Sequence, residues 1–175
     1  MNIQTVVVGS LDTNCYLIIK ENNCLIVDPG ADFKKIVKAI DGLQVVGILI
    51  THHHPDHIGV MNELKNAYQV PVYSKNNLME KEYEIDNFKF EVIYTLGHTN
   101  DSITFYFKEE KVMFVGDFLF KGSIGRYDLP TANYEDMVNS LNKIMEYNDD
   151  IIIYSGHGPS TNLGYEKKYN PYLQR

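Results

Sequence analysis

From Val45 to Ile50 the chain is almost wholly apolar, and it runs without a spacer into Thr51-His52-His53-His54-Pro55-Asp56-His57. An apolar run of this kind fits a strand buried on both faces, which requires a layer on either side of its sheet. The polar segment then stands at the strand's C-terminal end, and Pro55 marks a place where a helix can begin. Side chains at the C-terminal ends of several strands can converge on one crevice. His52 and His54 are two residues apart, so on extended backbone they project to the same side and can reach one ion. Asp56 and His57 follow the bend at Pro55 and point elsewhere, towards a second ion. His53 faces away from its neighbours and reads as a structural or supporting residue.

The other histidines sharpen this reading. The chain has six, and the two outside the segment, His98 and His157, each follow a glycine at the end of an apolar run. Asp117, in Val115-Gly116-Asp117, ends another predicted strand. A single histidine in a globular chain is usually a surface or core residue, Asp117 by itself would be a turn residue, and Asp56 a helix cap. What favours metal is the joint placement of His52, His54, His57, His98, His157 and both aspartates at strand ends or in the loops that follow. Neutral imidazoles suit zinc or iron, and carboxylates offset the charge of dications.

Elsewhere, alternation and turn residues predict strands at 3–8, 14–20, 23–28, 70–73, 88–95, 102–108, 111–116 and 151–153. Helical periodicity predicts helices at 33–40, 57–68, 133–147 and 163–169. Strands and helices recur in both halves, which predicts two packed sheets with helices outside, an α/β or α+β class. A length of 175 residues with no repeat or linker predicts one domain, spanning 1–175, large enough to fold without a metal or disulfide. The formal charge of −7 argues against a nucleic-acid partner. No apolar run reaches the roughly 18–20 residues of a membrane span, and the first residues do not read as a secretory leader. Cys15 and Cys24 fall out of register in the hairpin predicted for 14–20 and 23–28, so a reduced, cytoplasmic protein is expected.

The pattern His52-x-His54-x-Asp56-His57 with His98, Asp117 and His157 resembles the metallo-β-lactamase-fold hydrolases, and within them the small glyoxalase II-like (hydroxyacylglutathione hydrolase-like) branch. Further matching stretches are Asn14-Cys15-Tyr16-Leu17, Asp28-Pro29-Gly30, Gly97-His98-Thr99 with Ser102, Phe120 to Arg126, Gly156-His157-Gly158-Pro159 and Asn170-Pro171-Tyr172-Leu173. The resemblance implies an αββα sandwich with the metal site at one edge. It places a first ion on His52, His54 and His98 and a second on Asp56, His57 and His157, with Asp117 bridging both. It implies two divalent ions, zinc in the first place with iron or manganese as alternatives, and hydrolysis of an acyl thioester such as S-lactoylglutathione by a hydroxide held between them. Asp56 and Asp117 are then catalytic as well as ligating.

Rivals within the resemblance separate on single residues. Typical dizinc lactamases carry Cys in place of Asp117 and usually lack His57, which argues against lactam cleavage. Persulfide dioxygenases share a loop like Gly125-Arg126-Tyr127-Asp128 but use one iron, and they are the leading alternative. A non-catalytic metal-binding or regulatory domain is the other. Lys121 and Arg126 are candidates to hold an anionic substrate group, while an Arg126–Asp128 pair bracing the loop is equally open. Only about 15 residues follow the His157 motif, where glyoxalase II carries a helical domain that grips glutathione, so an open pocket and a weak KM are expected. A monomer or weak homo-oligomer acting on a small molecule completes the expectation.

Overall fold

The computed structural model describes residues 1–174. The chain begins with β1 (Asn2–Val8), β2 (Thr13–Lys20) and β3 (Asn23–Val27), followed by α1 (Phe33–Ile40), β4 (Gln44–Leu49), α2 (Pro55–Ile58), α3 (Met61–Tyr68) and β5 (Val72–Tyr73). The second half holds β6 (Glu82–Ile85), β7 (Phe88–Tyr94), β8 (Ile103–Phe107) and β9 (Val112–Gly116), a short hairpin β10 (Leu119–Phe120) and β11 (Ser123–Ile124), then α4 (Tyr134–Ile144), β12 (Ile152–Ser155), β13 (Thr161–Asn162) and α5 (Leu163–Tyr169). Strands β1 to β5 lie in sequence order in one sheet, and the other runs β13-β12-β9-β8-β7-β6. Both are mixed: β3–β4, β4–β5 and β9–β12 are parallel and the remaining pairs antiparallel.

Period-two alternation builds the layers. Tyr16 and Ile18 face Phe105, Phe107 and Phe114 between the sheets, whereas Cys15 and Leu17 pack outward with Ile36 and Leu64 of the helices. On β9, Val112 and Phe114 face inward while Met113 and Val115 meet Met137 and Leu141 of α4. The result is the αββα sandwich in a single domain. Burying strands on both faces is what lets Val45–Ile50 be apolar throughout.

Several boundaries differ from expectation. The helix predicted at 57–68 is two helices, because the chain must bend against Pro29-Gly30. Val60 N–H donates to Pro29 O at 3.1 Å, and a Cβ on Gly59 would lie 2.1 Å from Gly30 O. Pro55 does open α2, and Asn133 caps α4 by accepting from Asp136 N–H at 3.0 Å. The β2–β3 hairpin pairs Tyr16 with Val27 and Lys20 with Asn23, leaving Cys15 and Cys24 buried as free thiols. Among the described residues no helix is long and apolar enough to cross a membrane.

Candidate metal centre

Four strands and the loops after them deliver the polar groups to one edge. β4 leads to His52 and His54, β7 to His98, β9 to Asp117 and β12 to His157, while α2 carries Asp56 and His57. Three groups of donor atoms result. One is a fully buried set of Asp28, His52 and His57, in which Asp28 meets the Nδ1 side of His57; the two further sets are His52, His54 and His98, and Asp56, His57 and His157. Asp117 stands between the latter two, with its oxygens 3.4 Å from His57 Nε2, 3.5 Å from His157 Nε2 and 3.6 Å from His98 Nε2. His53 joins none of these groups; its Nδ1 pairs with Asp101.

Neighbouring groups fix the ring orientations. Carbonyls can only accept, so His98 Nδ1–H donates to Arg126 O at 2.8 Å and His157 Nδ1–H to Leu11 O at 3.0 Å. Asp28, buried at 2 % exposure, accepts from His57 Nδ1 at 2.9 Å, from Thr51 N–H at 2.8 Å and from the Thr51 hydroxyl at 2.6 Å. That hydroxyl in turn lies 3.1 Å from His52 Nδ1. The Nε2 lone pairs of His52, His57, His98 and His157 therefore face the centre. Glycine makes room: a Cβ on Gly156 would lie 2.2 Å from Asp117 Oδ1 and 2.6 Å from the His57 ring.

This geometry fits a cation. His54 Nδ1 lies 3.1 Å from His52 Nε2 and 3.0 Å from His98 Nε2. One ring hydrogen at most can relieve that contact, so lone pairs confront each other unless a positive ion lies among them. The spacing approaches the edge of roughly 3.3 Å set by a tetrahedral ion with bonds of about 2.0–2.1 Å. Among the described residues, three side-chain polar atoms are buried without a hydrogen-bond partner, and two of them, His57 Nε2 and Asp117 Oδ1, are here. Unpartnered buried groups are costly and call for an explanation.

Charge balance points the same way. Burial pushes His52 well below its ordinary value, with His57 reinforcing the effect. Burial opposes a charge on His57 as well, but the carboxylates of Asp117 and Asp28 outweigh it and hold its pKa up at about 10. Burial likewise opposes charge on Asp117, yet His157 and His57 hold it well below the usual carboxylate range. Protons on these histidines are one way to offset the buried negative charge; divalent cations among the same atoms are another.

The side chains of Lys121 and Arg126 engage groups outside the centre. Arg126 makes a two-pronged pair with Asp128 at 2.9 and 3.1 Å, so its contribution to the site runs through its carbonyl. Lys121 lies over the Tyr165 ring, 5.8 Å from its centroid. An open cavity of about 620 Å³ begins at His54 and is lined by His53, Asn76, Asn100, Leu129 and Thr131 among others. Sequence reasoning did not single out Asp28, whose Asp28-Pro29-Gly30 setting reads as the end of a strand, nor Thr13, whose hydroxyl donates to Asp56 Oδ2 at 3.0 Å.

A family model described as the metallo-beta-lactamase superfamily matches residues 8–81 and 76–157. Hydroxyacylglutathione hydrolase GloC of Haemophilus influenzae is 34 % identical, covering 99 % of this chain and 98 % of that protein. Among solved structures, the B3 metallo-beta-lactamase BLEG-1 superposes with a TM-score of 0.94 at 30 % identity over 99 % of this chain and 100 % of its own. TTHA1623 in a di-iron-bound form gives 0.89 at 30 % over 97 % and 100 %. ETHE1 from Myxococcus xanthus gives 0.90 at 25 % over 98 % and 84 %.

Proposed function

This chain belongs to the metallo-beta-lactamase superfamily, and from that membership we propose that it hydrolyses small acyl thioesters, S-lactoylglutathione among them, with two divalent metal ions. His52, His54 and His98 would hold the first ion and Asp56, His57 and His157 the second, with Asp117 standing between the two sets. The observation that carries the reading is the pair of donor groups facing each other across Asp117, with His57 Nε2 and Asp117 Oδ1 otherwise unpartnered. Zinc suits the nitrogen-rich first group, and the di-iron form of TTHA1623 makes iron the alternative.

When bound, such ions supply Lewis acidity and a water that ionises near neutral pH. The protein's part is positional. Asp28 keeps His57, and through Thr51 also His52, in the tautomer that turns Nε2 to the centre. Asp56, half-buried and fixed by Thr13, is the carboxylate placed to orient the attacking water. The cavity beside His54 offers amide and hydroxyl groups to the substrate. A thiolate of ordinary basicity leaves with little proton assistance, so the site needs no dedicated general acid.

A second reading, a mononuclear-iron persulfide dioxygenase, draws on the three-histidine group, which is complete as a single-ion site, and on the Gly125-Arg126-Tyr127-Asp128 loop. Metal-loaded protein assayed against S-lactoylglutathione, a truncated lactoyl thioester, a lactam and glutathione persulfide decides between them. Thioester cleavage supports the proposal. Oxygen uptake with the persulfide and no thioester cleavage overturns it in favour of the dioxygenase.

A further inference from the structure

We propose that Glu166 is a positioning residue of the metal centre: buried on α5, it holds the β10–β11 hairpin where the Arg126 carbonyl meets His98. The inference rests on the two-metal reading above. Glu166 is wholly buried, an uncommon place for a carboxylate. Its Oε2 accepts from the Gly122 N–H at 2.8 Å and from Asn170 Nδ2 at 2.9 Å, and its Oε1 accepts from the Thr161 hydroxyl at 2.5 Å. Asn170, also wholly buried, donates from the same Nδ2 to Ser123 O at 3.0 Å. Helix α5 thus grips the hairpin at its turn and on its second strand.

The hairpin belongs to neither main sheet. Leu119 and Ile124 bury its inner side and the Ser155 hydroxyl donates to Leu119 O at 2.6 Å, while its turn and the start of its second strand are held by the ties from Glu166 and Asn170. Its continuation forms one wall of the centre. Gly125 packs so closely that a Cβ would lie 1.7 Å from Asp117 O and 3.2 Å from His98 Nδ1. Arg126 O then accepts the His98 Nδ1–H at 2.8 Å. Partners of this type fix a ligand's tautomer and aim, and losing one typically weakens metal binding about 10- to 100-fold. A carboxylate does for the hairpin what Asp28 does directly for His57, at one remove.

The two oxygens of Glu166 face different structures, which separates positioning from general support. Glu166→Leu removes the tie to Gly122. Thr161→Val removes a tie that does not touch the hairpin. Glu166→Gln keeps an acceptor for Gly122, because the Thr161 hydroxyl can turn to accept from the amide. The test is chelator competition on zinc-loaded protein, read as two separate affinities, with the His98 Nδ1–H proton followed by nitrogen-edited NMR. Glu166→Leu is expected to weaken one ion about tenfold or more, leave the other nearly unchanged, and broaden or shift the His98 signal. Glu166→Gln restores both readouts, and Thr161→Val lowers thermal stability without moving either. If Glu166→Leu does not fold, Asn170→Ser, which frees Ser123 O, gives the same selective weakening. Wild-type protein with two ions and a variant with both affinities unchanged, or equally reduced, overturns the inference alone. Wild-type protein that binds no metal overturns the reading beneath it as well.

Discussion

Two places in this molecule gather charged side chains across neighbouring strands, and they do so in opposite ways. On the outer face of the six-stranded sheet, Lys108 reaches Glu82 at 2.7 Å and Glu91 at 3.1 Å, with Lys108 and Glu82 about half or more exposed. At the metal centre the corresponding nitrogen–oxygen separations are longer, 3.2 to 3.6 Å, although His57 is fully buried and Asp117 nearly so. The shorter contacts are the less consequential ones. Exposed ion pairs contribute little because water screens them and long side chains must be ordered to make them. The groups at the centre are spaced not to satisfy each other but to leave room for something else, and their backs are tied to Asp28, Leu11 and Arg126 so that they cannot relax together.

The largest expected effect falls on Asp117, the carboxylate that stands between the two donor sets. Asp117→Ala is expected to lower kcat/KM more than about a hundredfold, beyond what loss of an outer partner usually does, and to drop metal content below two equivalents. His53→Ala, whose ring pairs with Asp101 outside the donor groups, is expected to change activity by far less. Comparable losses in two folded variants would break the ligand assignment.

Next comes Asp28→Asn. An amide cannot accept from Thr51 and His57 on both of its ends, so the rings of His57 and His52 lose their aim. Metal affinity measured by chelator competition should fall about 10- to 100-fold while the fold, read by circular dichroism, is retained. Unchanged affinity would show that the orientation of the rings is set elsewhere.

What the chain's sequence reveals follows the same division. The candidate ligand positions are legible because the histidines are few and stand only where strands end, so their joint placement carries information that no single one does. The layers are legible from alternation, as on β2 and β9. The residues that aim the ligands are not. Asp28 sits in a turn-forming tripeptide, and Glu166 precedes Lys167 and Lys168 on a helix where a carboxylate ordinarily faces water. The β10–β11 hairpin has two residues per strand, too few for any periodicity to register. The break between α2 and α3 is a tertiary effect, forced by the close approach of Gly59 to Gly30, and the helical pattern runs straight through it.

The smallest effect is expected at the exposed cluster. Lys108→Met removes ion pairs shorter than the 3.2 to 3.6 Å separations between the donor groups, yet the unfolding midpoint and the activity should stay close to where they were, because Glu82 remains solvated. A clear loss of stability would mean that this face is more closed than its exposure suggests and that its ion pairs matter as much as the groups of the centre.

On the two-ion proposal, His52, His54 and His98 would hold one ion and Asp56, His57 and His157 another. Elemental analysis of protein purified without chelator, then supplemented with zinc, iron or manganese and desalted, tests it most directly. Wild-type protein is expected to reach a plateau at two equivalents per chain. A firm ceiling of one equivalent, unmoved by added metal, would contradict it.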